Sequence, residues 1–270
     1  MPADVISERL TDPGEYKSAY NILMSEPSNR LRIDAVVETL RDLPARIERV
    51  LDIGSGAGAY VEPARRATRM LNNARFCAMD WQRACVAGYR LNHPDAAGVL
   101  GDATRIPFAG MSFDLAMCLD IVEHIDDDLG FLRDVGRVLR PGGHLVLSTH
   151  NAWSLQHPIG YAISAVQGKQ WLGWDPTHVR FYSPATLRDL LRRAGFEVVR
   201  FNGTYYLPFH LPARLFSWPL ERIGARRLAK GVHQIVQAPA YGLNWVFEKF
   251  SYMRPICYLG WGIVVVARRV

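Results

Sequence analysis

The stretch Val50-Leu51-Asp52-Ile53-Gly54-Ser55-Gly56-Ala57-Gly58 decides the fold. Its apolar, β-branched start predicts a buried strand. Its glycines predict a sharp turn whose backbone approaches a ligand with no Cβ in the way. Asp52 stands two residues before the first glycine, where the strand ends, and ligands of open parallel sheets bind at that edge. Alone the motif is ambiguous, because Gly54, Gly56 and Ala59 also satisfy the relaxed dinucleotide pattern G-x-G-x-x-G/A. The other strands must separate the two readings.

After the glycines a helix is expected to start near Glu62, since Pro63 is tolerated only in a first turn. Ala64, Ala67, Met70 and Leu71 form its expected inner face. Arg75 to Asp80 predicts a second strand ending in a carboxylate, 28 positions beyond Asp52. An acid there can accept both hydroxyls of a ribose in either nucleotide reading. Trp81 either stacks on an adenine or packs half-buried. Val99 to Ala103 predicts the tip of a third strand, with Asp102 bonding an adenine amine or capping its own turn. Ser112 to Asp120 is an apolar fourth strand. Asp126, Asp127 and Asp128 give the next helix an acidic start, favourable to its dipole. Leu129, Leu132, Val135, Val138 and Leu139 form its stripe, and Pro141-Gly142-Gly143 is expected to stop it. His144 to Thr149 is the fifth strand. Strands alternating with helices at this pace predict a doubly wound parallel sheet.

Residues 150–182, rich in His, Trp and Gly, predict an irregular functional loop. Ser183-Pro184 caps a helix carrying Leu187, Leu190, Leu191 and Ala194, closed by Gly195. Phe196 to Phe201 and Gly262 to Arg268 are the last strands. The chain thus divides into an N-terminal helical cap (1–48), a core (49–202), an insertion (203–258) and a final core strand (259–270). The cap contains Tyr16 and Tyr20, which either cover a ligand or pack locally, and Arg30 and Arg32, which meet an anion or form ion pairs. The insertion is aromatic and basic, with Tyr205, Tyr206, Phe209, Phe216, Trp218, Tyr241, Trp245, Phe247, Phe250 and Tyr252 among Arg214, Arg222, Arg226, Arg227 and Lys230.

Charge is lopsided. Residues 1–150 hold 17 Lys+Arg against 21 Asp+Glu, and residues 151–270 hold 15 against 5, which gives the net +6. The basic half suits an acidic substrate, an anionic membrane surface or nucleic acid. Cys77, Cys85, Cys118 and Cys257 lack C-x-x-C spacing and predict reduced, buried thiols. With no apolar leader in Met1 to Arg9 and no run long enough to span a bilayer, a cytoplasmic protein is expected, with peripheral membrane association as one use of the insertion.

Taken together, the glycine stretch, Asp80, Gly101-Asp102-Ala103, Phe113-Asp114, Leu119-Asp120-Ile121-Val122-Glu123-His124, Leu139-Arg140-Pro141-Gly142-Gly143, His178 to Ser183 and Ala194-Gly195-Phe196 resemble the class I S-adenosylmethionine (SAM)-dependent methyltransferases. The resemblance spans about residues 48–202 and the last strand. It implies a Rossmann-like seven-stranded, mostly parallel sheet whose last strand runs antiparallel between the fifth and sixth. It implies SAM as cofactor. Gly54, Gly56 and Gly58 would then approach its methionine part, Asp52 would support its amino end, Asp80 would hold the ribose, Asp102 with Ala103 the adenine, and Leu119 would line the pocket beneath the sulfonium.

Methyl transfer is an in-line displacement, so the enzyme chiefly aligns acceptor, carbon and sulfur in a dry site. A hydroxyl acceptor calls for a general base. His124 follows the fourth strand and is the candidate, with His178 beside it; capping local backbone is the plain use of His124. His150 and His157 could face the same cleft. Asp120, Glu123, His124 and His178 are spaced like the divalent-metal sites of ubiquinone-biosynthesis O-methyltransferases and small-RNA terminal 2′-O-methyltransferases, but metal-free relatives share the Glu-His pair, and no metal is assigned. The expected activity is O-methylation of a small-molecule, sugar or lipid-linked acceptor. RNA methylation and NAD-dependent oxidation are the alternatives. The absence of a lysine-rich tract argues against nucleic acid, and Gly58, Asp102 and Pro141-Gly142-Gly143 argue against NAD.

Overall fold

The computed structural model describes residues 27–41, 43, 46–154, 157–166, 168, 171, 173, 175, 177–206, 217 and 219–270. Tyr16, Tyr20, Phe209, Arg214, Phe216 and Trp218 lie outside them. Seven strands form one sheet: β1 (Arg49–Ile53), β2 (Arg75–Asp80), β3 (Ala97–Leu100), β4 (Phe113–Leu119), β5 (Leu139–His150), β6 (Phe196–Thr204) and β7 (Gly262–Arg269). Their order is β3-β2-β1-β4-β5-β7-β6. β7 runs antiparallel to both neighbours and the remaining pairs are parallel. This separates the sheet from the 3-2-1-4-5-6 dinucleotide order, and the doubly wound, mostly parallel expectation holds.

The helices are α1 (Pro27–Leu40), α2 (Val61–Ala67), α3 (Arg69–Asn72), α4 (Arg83–Asn92), α5 (Asp128–Val138), α6 (His157–Val166), α7 (Pro184–Arg193) and α8 (Arg226–Glu248). Because side chains alternate across a strand, the sheet feeds two cores. Leu51 and Ile53 join Ala116, Cys118, Leu145, Leu147 and Val265 under α5 and α7. Val50 joins Leu115, Met117, Val146, Val264 and Val266 against Ala35, Val36 and Leu40 of α1. The N-terminal helix is thus part of one core layer. Its Thr39 hydroxyl accepts from Asn202 Nδ2 on β6 at 2.9 Å.

Several boundaries differ from those the sequence predicts. Pro63 does sit in the first turn of α2. The helix does not continue to Leu71, however: Thr68 is extended (φ −138°, ψ 132°) and its hydroxyl accepts from Leu71 N, starting α3. β3 ends at Leu100, which leaves Gly101, Asp102 and Ala103 in the loop beyond it. α5 stops at Val138, before the Pro-Gly-Gly segment. Leu139 already pairs with Phe113, and Pro141-Gly142-Gly143 lies inside β5 at a register shift, with Gly142 at φ +74°. Residues 150–182 include α6, so that stretch is not wholly irregular. The Ser183 capping box on α7 forms as expected, with Ser183 accepting from Thr186 N.

Candidate active site

The carboxyl ends of β1, β2, β4 and β5 build the site. Gly54, Gly56 and Gly58 all adopt positive φ (68°, 50° and 82°), which L side chains rarely take. Gly54 N donates to Met79 O at 2.8 Å and Gly56 N to Asp80 Oδ2 at 3.0 Å, which ties the loop to β2. The other Asp80 oxygen accepts from Gln82 N at 2.9 Å. The Cys85 thiol and the Trp81 backbone N–H also bond this carboxylate. A Cβ on Gly58 would stand 2.6 Å from the His93 ring, whereas one on Gly56 meets nothing within 4 Å. The open side of the loop is therefore at Gly56.

Asp52 is buried beneath this loop. Burial, with the Asp80 charge adding to it, pushes its carboxyl up to about 7. Burial also raises Asp80, against the backbone N–H groups of Gln82 and Gly56 that hold its charge. Two buried carboxylates that resist ionising together suit a cationic ligand. Beside them, Trp81, Leu100, Gly101 and Asp102 line a cleft of about 370 Å³. Trp81 is 72% exposed, so its ring faces the cleft rim rather than the core. Asp102 Oδ1 accepts from Thr104 N at 2.8 Å, shaping the turn that presents it. Ala103, next to Asp102, and Leu119, the last residue of β4, are both buried.

Asp120, one residue past β4, is held at φ +54°. Its backbone N–H donates to Ser148 O, its Oδ1 accepts from Ser148 Oγ at 2.9 Å, and its other oxygen pairs with Arg32 of α1. Arg32 therefore makes an ion pair, the second of the two uses its sequence allowed.

Beyond Asp120 four histidines separate into three roles. Glu123 is fully buried and accepts from Thr149 Oγ1 at 3.0 Å and His150 Nδ1 at 2.9 Å. Burial works to raise its carboxyl, but the His150 bond and charge prevail and hold it below the usual range. Glu123 thus anchors His150. His178 packs between His150 and His124 with its ring tilted to both, at ring separations of 4.5 and 4.9 Å. It is brought there by Val179 N donating to Glu123 O and by Arg180, which grips Asp128 at 2.5 Å and Asp126 O at 2.7 Å. His157 is structural: it bonds Asn151 O and accepts from Trp171 Nε1 at 2.8 Å.

His124 is oriented by residues that the sequence did not single out. Thr177 Oγ1 donates to Asp175 Oδ1 at 2.5 Å and lies 2.9 Å from His124 Nδ1. A hydroxyl has one proton. With that proton on Asp175, His124 Nδ1 must carry the hydrogen of its bond to Thr177, which leaves Nε2 with a free lone pair. Asp175 also accepts from Thr177 N at 2.8 Å, an Asx turn that Asp175-Pro176-Thr177 could have signalled. Among the described residues, the Glu123, His150 and His178 donors, and those of His124, Asp175 and His178, form two groups with ligand atoms within 4.8 Å of one another. Asp120 belongs to neither.

A model of the methyltransferase domain matches residues 26–200, which cover the glycine loop, the β4 tip and α1. The chain belongs to the methyltransferase family. This methyltransferase is 32% identical over 212 residues to a ubiquinone biosynthesis O-methyltransferase of Cereibacter sphaeroides, covering 72% of this chain and 79% of that one. It is 31% identical over 198 residues to the protein of the same name from Dinoroseobacter shibae, covering 67% and 76%. Among solved structures, a SAM-dependent methyltransferase from Thermotoga maritima superposes with a TM-score of 0.58 at 16% identity, covering 98% of this chain and 99% of that one. The methyltransferase is therefore a class I, SAM-dependent enzyme with the Rossmann-like fold, and the NAD-dependent alternative falls away.

Proposed function

We propose that this methyltransferase transfers a methyl group from SAM to the hydroxyl of a small acceptor, with His124 as general base. The observation that carries this reading is the Asp175–Thr177–His124 chain, which leaves His124 Nε2 free to take a proton. When bound, SAM supplies a methyl carbon activated by its sulfonium. Asp52, the backbone at Gly56, Asp80, Trp81, Asp102 and Ala103 are the residues assigned to hold it, and buried Leu119 keeps water from the methyl position. As the acceptor oxygen forms its bond to carbon, its proton passes to His124 Nε2. Asp175, acting through Thr177, stabilises the resulting imidazolium. His178, packed against the ring, fixes its plane. The relatives named for ubiquinone biosynthesis support a hydroxylated ring, lipid-linked in its natural form, as the acceptor.

A second reading is favoured by the two donor groups around His178. A divalent cation there would acidify the acceptor hydroxyl and replace the imidazole base. Tritiated-methyl transfer from SAM to catechol, sugar and RNA acceptors, before and after treatment with a strong chelator, tests both. Label on the catechol, with turnover unchanged by chelation, is expected. Loss on chelation with recovery on adding magnesium or zinc selects the cation reading. Label in RNA alone overturns the small-acceptor assignment.

A further inference from the structure

A second cleft, of about 480 Å³, opens beside the first half of β6, away from the carboxyl strand ends that form the active site. It is lined by Arg188 and Arg192 of α7, Arg200 of β6, and Tyr252 and Arg254 from the segment after α8. Three guanidinium groups sit over aromatic rings: Arg188 over Phe201 at 4.9 Å, Arg200 over Tyr252 at 5.6 Å and Arg254 over Tyr258 at 5.8 Å. Stacking fixes a guanidinium's plane and leaves its N–H edge for an oxyanion. Arg192 is paired with Asp189 at 2.7 Å, and Glu197, the one acid among the described residues lining the cleft, is held by Arg268 at 2.6 Å. Arg188 and Arg254 make no ion pair among the described residues.

The chain leading into this cleft from α8 carries exposed apolar side chains. Leu228, Ile235, Leu243 and Val246 of α8 are all exposed, and at 3.6 residues per turn they fall within an arc of roughly 80° on one side of the helix. Phe250, Tyr252 and Met253 continue the exposed surface to the cleft, where Val199 is also exposed. Exposed apolar side chains along one side of a helix, joined through Tyr252 to a cleft of clustered arginines, mark an interaction surface. No helix among the described residues is long and apolar enough to cross a membrane. A nucleic acid would want basic groups along such a row, not leucine and isoleucine. An anionic bilayer wants both parts, apolar side chains for its acyl boundary and arginines for its phosphates.

We propose that the Arg188–Arg192–Arg200–Arg254 cleft binds the phosphate of an anionic phospholipid headgroup while the α8 row and Phe250, Tyr252 and Met253 bed into the same leaflet. The surface is separate from the methyl-transfer chemistry and would bring the enzyme to a lipid-linked acceptor.

Vesicle flotation of the full chain, with phosphatidylcholine alone and with added phosphatidylglycerol, tests this. Binding is expected only to the second, weakening with salt. Reversing two charges in Arg188→Glu/Arg254→Glu should lower partitioning roughly tenfold or more, and Ile235→Ser/Leu243→Ser should also lower it. Both variants should keep wild-type turnover of a soluble acceptor, which shows that they fold. Equal binding to phosphatidylcholine, or undiminished binding by the arginine variant, overturns the proposal. So does tight binding of free glycerol phosphate or RNA without vesicle binding. A dimer that the serine variant dissociates, with no vesicle binding, would overturn it as well.

Discussion

Thr177 Oγ1 bridges Asp175 Oδ1 at 2.5 Å and His124 Nδ1 at 2.9 Å, joining a loop after α6 to the turn after β4. The bridge sets the tautomer of His124, on which the proposed role as base depends. Thr177→Val should lower kcat about 100-fold with little change in KM for SAM, the low end of what general-base effects span, since the imidazole itself remains. Thr177→Ser, which keeps the hydroxyl, should restore most of the rate. Steady-state kinetics of the two variants check this; equal losses in both would show that shape, not the hydroxyl, is what matters.

Asp52 gives a pH signature. Its carboxyl is raised from 3.8 to about 7 by burial and by Asp80. Between those values the native state holds a proton that the unfolded chain has released, so this group lowers stability as pH rises through the window. The cofactor's ammonium prefers the ionised form, so affinity for S-adenosylhomocysteine should rise as pH climbs through about 7 and then level. Titration calorimetry across that range should show the rise in wild type and a flat, weaker profile in Asp52→Asn.

The glycines of the loop separate stability from binding. Gly58→Ala places a Cβ 2.6 Å from His93 at φ +82° and disturbs the ring's 2.9 Å bond to Gly58 O. A cost of about 2–3 kcal/mol follows from left-handed backbone strain plus that bond. Gly56→Ala has open space and should cost only about 1–2 kcal/mol, from backbone strain alone, while weakening SAM binding because its Cβ enters the cofactor's side. Denaturant melts and cofactor titration on both variants measure the contrast.

Arg32 on α1 pairs with Asp120 at the tip of β4, and both side chains are partly buried. Arg32→Ala should cost on the order of 1 kcal/mol, as partly exposed pairs do. It should raise KM for SAM more than it alters stability, because Asp120 would keep only its Ser148 bonds at the cleft edge. A double-mutant cycle with Asp120→Asn isolates the coupling.

Much of this was legible in the residues. The glycine loop, the β2 carboxylate and the capped helix at Ser183 are local: turn conformation, strand alternation and caps are fixed by neighbours in sequence, so they read directly. The errors fell where distant pairing overrides a local signal. Pro141-Gly142-Gly143 reads as a helix stop, but the helix ends by Val138, and β4 pairing at Leu139 and His144 on either side carries the segment within a strand. A run of apolar positions reads as one helix across Thr68, but its hydroxyl recaps the chain there.

By itself the sequence determined the alternating strand–helix order and the ligand-binding edge, because these rest on periodicity and on glycines whose backbone angles other residues rarely adopt, and the resemblance its motifs carry pointed to the family's chemistry. Only the tertiary structure decided how His124, His150 and His157 are each held, and with that which of them we propose as the base. A histidine's role depends on which proton its partners hold, and those partners, Thr177 for His124, Glu123 for His150 and Trp171 for His157, lie 14 to 53 positions away along the chain.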